Sequence, residues 1–181
     1  MDIYKLKFTR LQNEIFRLLC IKAGSSLSQR EMARLLKVSP TAIGKSIKGL
    51  EKAKLVKLKR NNTIKLISVE FNRDNSKAME LKRVENLKLT YESGLSEFLE
   101  EKFAGCTIIL FGSYSRGDDT INSDIDVAVI GKKIEEINLE NFEKMLERKI
   151  IINFYPSLKE VHKELKENIC NGMILSGGIQ L

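Results

Sequence analysis

The chain has 181 residues, of which 43% are hydrophobic and 30% charged, and its net charge is +7. That length suits one medium domain or two small ones, and the apolar fraction excludes a mainly disordered chain. No apolar run is long enough to cross a bilayer and no secretory signal opens the chain, so a cytoplasmic protein without membrane association is expected.

Cys20, Cys106 and Cys170 are scattered, show no metal-ligand spacing, and read as reduced small hydrophobes. His162 is the single histidine and is expected to be inert, so any catalysis does without a histidine base. The charge is uneven. Residues 1–75 carry 17 Lys and Arg against 6 Asp and Glu, a balance of +11, and residues 76–181 carry 14 against 18, a balance of −4. Two modules with different partners are expected.

Residues 7–23 place Phe8, Leu11, Ile15, Leu18 and Leu19 at helical spacing, with a stop at Gly24. Residues 25–28 read as a turn. Ser28 and Glu31 form a capping box for a helix through Lys37, with Met32, Leu35 and Leu36 inward. Ser39 caps a third helix that starts at Pro40 and runs to about Lys54. It buries Ile43, Ile47 and Leu50 and exposes Thr41, Lys45 and Lys48. Strands at 55–58 and 64–69 follow, joined by a turn at Lys59-Arg60-Asn61-Asn62.

Three helices and a basic hairpin over residues 7–71 resemble a winged helix-turn-helix. Such modules lay the third helix in the major groove and the hairpin along the backbone. By that resemblance the module binds duplex DNA, with Thr41, Lys45 and Lys48 facing it and Ser39, Lys59 and Arg60 near phosphates.

Residues 72–76 are a polar break. A long helix is expected from Lys77 to Lys102, with the stripe Leu81, Val84, Leu87, Tyr91, Leu95 and Phe98 packing on the sheet or on a second chain as a homodimer. Thr107–Phe111 is an apolar β-branched strand that stops at Gly112. Gly112-Ser113 opens a polar loop, and Asp124 introduces a second strand, Ile125–Ile130, with Asp126 inside it. Side chains alternate on a strand, so Asp124 and Asp126 share a face with Cα atoms about 6.5 Å apart, while Ile125, Val127 and Val129 face the core.

Two adjacent carboxylates on a mostly buried strand repel each other and are costly to desolvate, and a divalent cation relieves both penalties. Hard oxygen ligands suit Mg²⁺ (or Mn²⁺), whose shell is completed by water and phosphate. Gly112 and Ser113 can offer N–H and hydroxyl groups to those phosphates, and Arg116 a planar cation. A P-loop is excluded because Asp118-Asp119 stand where Lys-Ser/Thr is required. A calcium loop starting at Asn122 is excluded because Val127 and Lys133 replace its glycine and glutamate.

Gly112-Ser113, ten residues, then Asp124-Ile125-Asp126 ahead of a strand resembles the DNA polymerase beta-type nucleotidyltransferase superfamily. Arg116-Gly117 and Ser123 match the fuller pattern. The resemblance is closest to the minimal nucleotidyltransferases and covers about residues 104–181. It implies a metal-dependent transfer of a nucleoside monophosphate from ATP or another NTP to a hydroxyl acceptor. The acceptor can be a partner protein, as where antitoxin-like members modify a HEPN-type partner, or a small molecule. Asp124 and Asp126 are then the catalytic metal ligands, and Gly112, Ser113 and Arg116 the nucleotide-binding set.

Related enzymes carry a third carboxylate on the next strand. Here that strand, 149–155, offers Asn153 near the expected place, which can donate an oxygen to a metal but cannot take a proton. The alternative is therefore a DNA-binding regulator whose degenerate transferase domain binds nucleotide or a partner.

After the motif, a helix over 138–148 (Leu139, Phe142, Met145 and Leu146 inward), the strand 149–155, a helix over 157–169 and a short edge strand at 173–179 are expected. The whole reads as an α+β chain of two domains: a winged helix-turn-helix at 1–72, a connecting helix at 73–103 and a small α/β nucleotidyltransferase domain with a mixed sheet, helices on one side, at 104–181.

Overall fold

The computed structural model describes residues 7–61 and 66–179; for Arg60, Asn61 and Leu66 it describes the backbone alone. The chain divides into two compact units, Met1–Lys82 and Arg83–Leu181.

In the first unit, α1 (Arg10–Ile21) starts at Thr9, where Thr9 and Gln12 cap each other's backbone N–H groups. Residues expected as a turn form β1 (Ser26–Ser28), which pairs antiparallel with β3 (Leu66–Phe71). Three residues are too few for a visible period of two, so only the pairing reveals this strand. Helix α2 (Gln29–Leu35) has the expected capping box: Glu31 accepts from the Ser28 N–H at 2.7 Å and the Ser28 hydroxyl from the Glu31 N–H at 3.2 Å. Met32 is buried, but Leu35 is turned to solvent.

Helix α3 (Pro40–Lys52) begins at Ser39, whose hydroxyl accepts from the Ala42 N–H at 3.2 Å. Strand β2 (Val56–Asn61) completes an antiparallel sheet of order β1-β3-β2. Ile15, Leu19, Met32, Ile43, Ile47, Leu50 and Val69 form the core, each contributing about 1.5–3 kcal/mol on burial. This is the winged helix-turn-helix arrangement. Lys59, Arg60 and Asn61 belong to β2 and not to a turn; Asn62 and the expected strand start at Ile64 lie outside the described residues.

The boundary between the units falls within α4 (Ser76–Glu92). The expected long helix is two helices, because Ser93-Gly94 ends α4 and α5 (Leu95–Lys102) starts afresh. Gly94 has φ +77°, a conformation that L side chains rarely adopt. The stripe expected to pack holds in part: Leu95 is buried and Leu81, Leu87 and Phe98 are half-buried, but Val84 and Tyr91 are exposed, and Asn86, Leu89 and Thr90 are buried.

The second unit is built on a four-stranded mixed sheet of β4 (Thr107–Phe111), β5 (Ile125–Ile130), β6 (Ile150–Tyr155) and β7 (Met173–Ser176), in the order β6-β5-β4-β7. Only β5 and β6 run parallel. Helices cover both faces, not one. Ile109, Phe111 and Ala128 pack with Val161 and Ile169 around α8 (Lys163–Cys170), while Phe103 at the end of α5 meets Phe154 edge-on at 5.3 Å.

Helix α6 (Gly112–Arg116) is one short turn after β4, and α7 (Glu140–Leu146) precedes β6. Met145 of α7, expected inward, is exposed. The helix expected over 157–169 is a 3-10 turn (Leu158–Glu160), then α8, because Val161 adopts an extended conformation and is buried. No helix among the described residues is long and apolar enough to cross a membrane.

Candidate metal and nucleotide site

Phe111 lies opposite Asp126 in the β4–β5 pairing, so the turn after β4 passes directly over that carboxylate. Gly112 makes this possible. Its φ is +74°, and a Cβ added there would sit 2.5 Å from Asp126 Oδ2. Ile125, Val127 and Val129 are buried on the opposite face as expected, which fixes Asp126 on the face toward Gly112. Burial pushes the Asp126 carboxyl above the usual carboxylate range, the Asp124 charge adds to that shift, and Arg116 opposes it. Asp124, Asp126, Arg116 and Gly112 are thus one cluster. A like-charged pair of hard oxygens, one partly desolvated, is a donor set that fits a divalent cation.

Arg116 is held in place by residues the motif does not include. Its guanidinium donates to Asn168 Oδ1 at 3.0 Å and to Asp118 Oδ2 at 3.4 Å. Ser113 is half-buried in the first turn of α6, and its carbonyl accepts from the Asp118 N–H at 3.2 Å. Gly117, at φ +81°, closes that turn.

The loop that leads to Asp124 is anchored from below. Asp119 is buried, accepting from Asn86 Nδ2 at 2.7 Å and pairing with Arg148 at 3.4 Å. The same Asn86 amide donates to the Tyr114 carbonyl at 2.8 Å, tying α6 to the loop. Nearer the site, the Ser123 hydroxyl accepts from the Thr120 N–H at 2.9 Å. No motif or periodicity in the sequence singles out Asn86 or Arg148; only their burial beside Asp119 reveals them. A cleft of about 450 Å³ adjoins Asp124 and is lined by Asn122, Ser123, Glu143, Glu147 and Lys149.

The third-carboxylate position needs correction. In the parallel β5–β6 register Ile151 stands beside Asp126, and Asn153 stands beside Ala128, one step further along the same face. The neighbour of the pair is therefore an isoleucine, 43% exposed. Among the described residues no group of three or more His, Cys, Asp or Glu side chains is placed to hold a metal ion.

In the first unit, Thr41, Lys45 and Lys48 lie exposed on one face of α3, opposite Ile43, Ile47 and Leu50. Ser39 uses its hydroxyl as the helix cap. Lys59 is paired with Glu70 at 2.6 Å, so its charge is partly neutralised. The Arg60 side chain lies outside what is described.

Residues 92–176 match the family model of the nucleotidyltransferase domain. No curated protein matches the chain. Among solved structures, a ZitR variant of Lactococcus lactis is 23% identical, covers 55% of this chain and 65% of its own, and superposes with a TM-score of 0.42. AdcR of Streptococcus pyogenes is 20% identical over 57% of this chain and 73% of its own, with a TM-score of 0.42. A second Lactococcus lactis ZitR variant, in complex with DNA, is 27% identical over 56% of this chain and 66% of its own, with a TM-score of 0.40. The match thus spans about two thirds of the ZitR chains, and the family match to the nucleotidyltransferase domain falls on the residues that carry Gly112, Asp124 and Asp126.

Proposed function

We propose that the second unit is a nucleotidyltransferase that moves a nucleoside monophosphate from an NTP, ATP in the first instance, to a hydroxyl acceptor, and that the first unit binds duplex DNA. The observation that carries this reading is the close approach of the Gly112 backbone to Asp126 beside Asp124, which brings the turn after β4 against the pair of carboxylates. Asp124 and Asp126 would hold Mg²⁺ or Mn²⁺, which supplies charge neutralisation on the triphosphate. Ser113 and Arg116 would meet its oxygens, with Asn168 orienting the guanidinium. The acceptor oxygen bonds to the α-phosphorus, the bond to the bridging oxygen breaks, pyrophosphate leaves, and the acceptor proton passes to water. A HEPN-type partner protein and a small-molecule hydroxyl are the acceptors to test.

A degenerate transferase that only binds nucleotide, attached to a DNA-binding regulator, is the second reading, and Ile151 beside Asp126 favours it. Loss of a base typically costs about 10²–10⁴ in rate, which slows transfer without preventing binding. ATP labelled at the α-phosphate, with Mg²⁺ or Mn²⁺ and candidate acceptors, separates the two. Label transfer above an Asp124→Ala control supports the enzyme. Nucleotide binding without transfer, together with a gel shift that responds to ATP–Mg²⁺, supports the regulator.

A further inference from the structure

A cavity of about 710 Å³ opens at the end of the second unit's sheet remote from the carboxylate pair. In the β4–β5 ladder Phe111 pairs with Asp126 at one end and Thr107 with Ile130 at the other. At strand rise the two ends are about 13 Å apart, so this cavity lies clear of the metal site. Thr107 and Ile130 line it, together with the 3-10 turn, α8 and the chain that follows β7.

The charge of the cavity is one-sided. Lys159 on the 3-10 turn and Lys166 on α8 line it, and no aspartate or glutamate does. Neither lysine side chain makes an ion pair or hydrogen bond among the described residues. For Lys166 the reason is local: the positions three and four residues away on α8 hold His162, Lys163, Ile169 and Cys170, none of them acidic. Ser157 adds a further donor to the lining. Its hydroxyl oxygen accepts from the Lys159 N–H at 3.2 Å, and its own proton has no acceptor among the described residues. The apolar walls are Ile130, Pro156, Leu158 and Ile179. At the rim, Gly178 has no left-handed backbone, and nothing lies within 4 Å of where its Cβ would stand. The protein's own packing does not require glycine there, whereas close approach of a ligand to the backbone would.

Small-molecule sites are concave and mostly apolar, with a few convergent polar groups that fix orientation. We propose that this cavity binds an organic phosphate monoester, with its phosphate between Lys159, Lys166 and Ser157 and its apolar body against Leu158 and Ile179. Such a phosphate carries about −1.5 to −2 charges at pH 7, which two ammonium groups match. The inference stands apart from what binds at Asp124.

The test uses the full chain without divalent cations and phenyl phosphate as the probe, with inorganic phosphate and benzyl alcohol as its separate halves. Amide chemical shifts in NMR titrations read both affinity and position. The expected result is a dissociation constant of about 1 mM for phenyl phosphate, with shifts at Ser157, Lys159 and Gly178, and at least about tenfold weaker binding of either half. Lys159→Gln/Lys166→Gln should weaken phenyl phosphate binding at least about tenfold, and Lys159→Arg/Lys166→Arg should stay within about threefold of the unsubstituted chain. Neither lysine is buried, so both variants are expected to fold. No shifts at these amides up to about 20 mM phenyl phosphate, or shifts confined to Gly112, Ser113 and Arg116, would overturn the proposal. Equal binding of either half, full affinity in the glutamine variant, or an arginine variant as weak as the glutamine one would overturn it too.

Discussion

Gly112 and Gly94 offer a controlled comparison, because both adopt left-handed backbone, at φ +74° and +77°, in the same unit. Nothing lies within 4 Å of a Cβ at Gly94, whereas one at Gly112 would meet Asp126 Oδ2 at 2.5 Å. Alanine in this conformation costs about 1–2 kcal/mol, offset by about 0.4–1 kcal/mol from the stiffer unfolded chain. Gly94→Ala should therefore lower stability by about 1 kcal/mol and leave the site untouched. Gly112→Ala carries the same backbone cost, and its Cβ also falls about 0.9 Å short of the 3.4 Å at which a contact becomes ordinary. The Asp126 carboxylate must retreat or the turn must lift. Displacement on that scale costs up to about a hundredfold where geometry matters, so Mg²⁺–nucleotide affinity should fall by about 10- to 100-fold. Calorimetric titration of both variants, with thermal melting as the stability control, measures the difference. If Gly112→Ala binds Mg²⁺–nucleotide as tightly as Gly94→Ala does, the turn and the carboxylate pair are not one site.

Removing one partner of the buried Asp119–Arg148 pair by Arg148→Met should destabilise the second unit by about 3–5 kcal/mol, read as a lowered melting temperature; an unchanged melt would show that the pair anchors nothing. The raised Asp126 carboxyl makes the folded state the stronger proton binder between the ordinary carboxylate range and its own pKa, so metal-free stability falls as pH rises through that window. Mg²⁺ binds the ionised form, so its stabilisation should grow over the same window; a pH-independent Mg²⁺ shift in melting temperature would count against Asp126 as a ligand. Lys45→Ala and Lys48→Ala should each weaken duplex binding at every sequence and reduce the slope of log affinity against log salt by about one, with an unchanged slope placing α3 away from phosphates. Ile151→Asp should place a third carboxylate beside Asp126 and raise bound Mn²⁺ from one ion per chain to two in the presence of a non-hydrolysable triphosphate; two ions already bound by the unsubstituted protein would refute the role given to Ile151.

The parts of this molecule that were legible in sequence are those governed by local chemistry. Ser28 with Glu31 and Ser39 ahead of Pro40 set two helix starts, because a cap needs only neighbours in the chain. Asp124 and Asp126 were assigned one face because strand alternation is a property of the backbone. Helix α4 misled because its buried face mixes apolar and polar residues: Asn86 and Thr90 are inside with Ala78 and Leu89, paired to Tyr114, Asp119 and the helix's own backbone. A buried polar face with satisfied hydrogen bonds has no hydrophobic period to reveal it. Arg148 was opaque for the same reason, since its burial depends on an aspartate 29 residues away.

The third carboxylate shows where spacing stops being informative. Counting along residues 149–155 finds the nearest polar residue, Asn153, and assigns it the empty role. Register decides otherwise, because the residue that can share a metal with Asp126 must stand beside it across the β5–β6 ladder, and that residue is Ile151. A strand rises about 3.3 Å per residue, so Asn153 is displaced by about 6.6 Å along β6, on the side of Asp126 that leads away from Asp124. Asn153 therefore stands beside Ala128 and not beside the carboxylate pair. A transferase working through Asp124 and Asp126 would have to depend on positioning and on an acceptor that loses its proton to water.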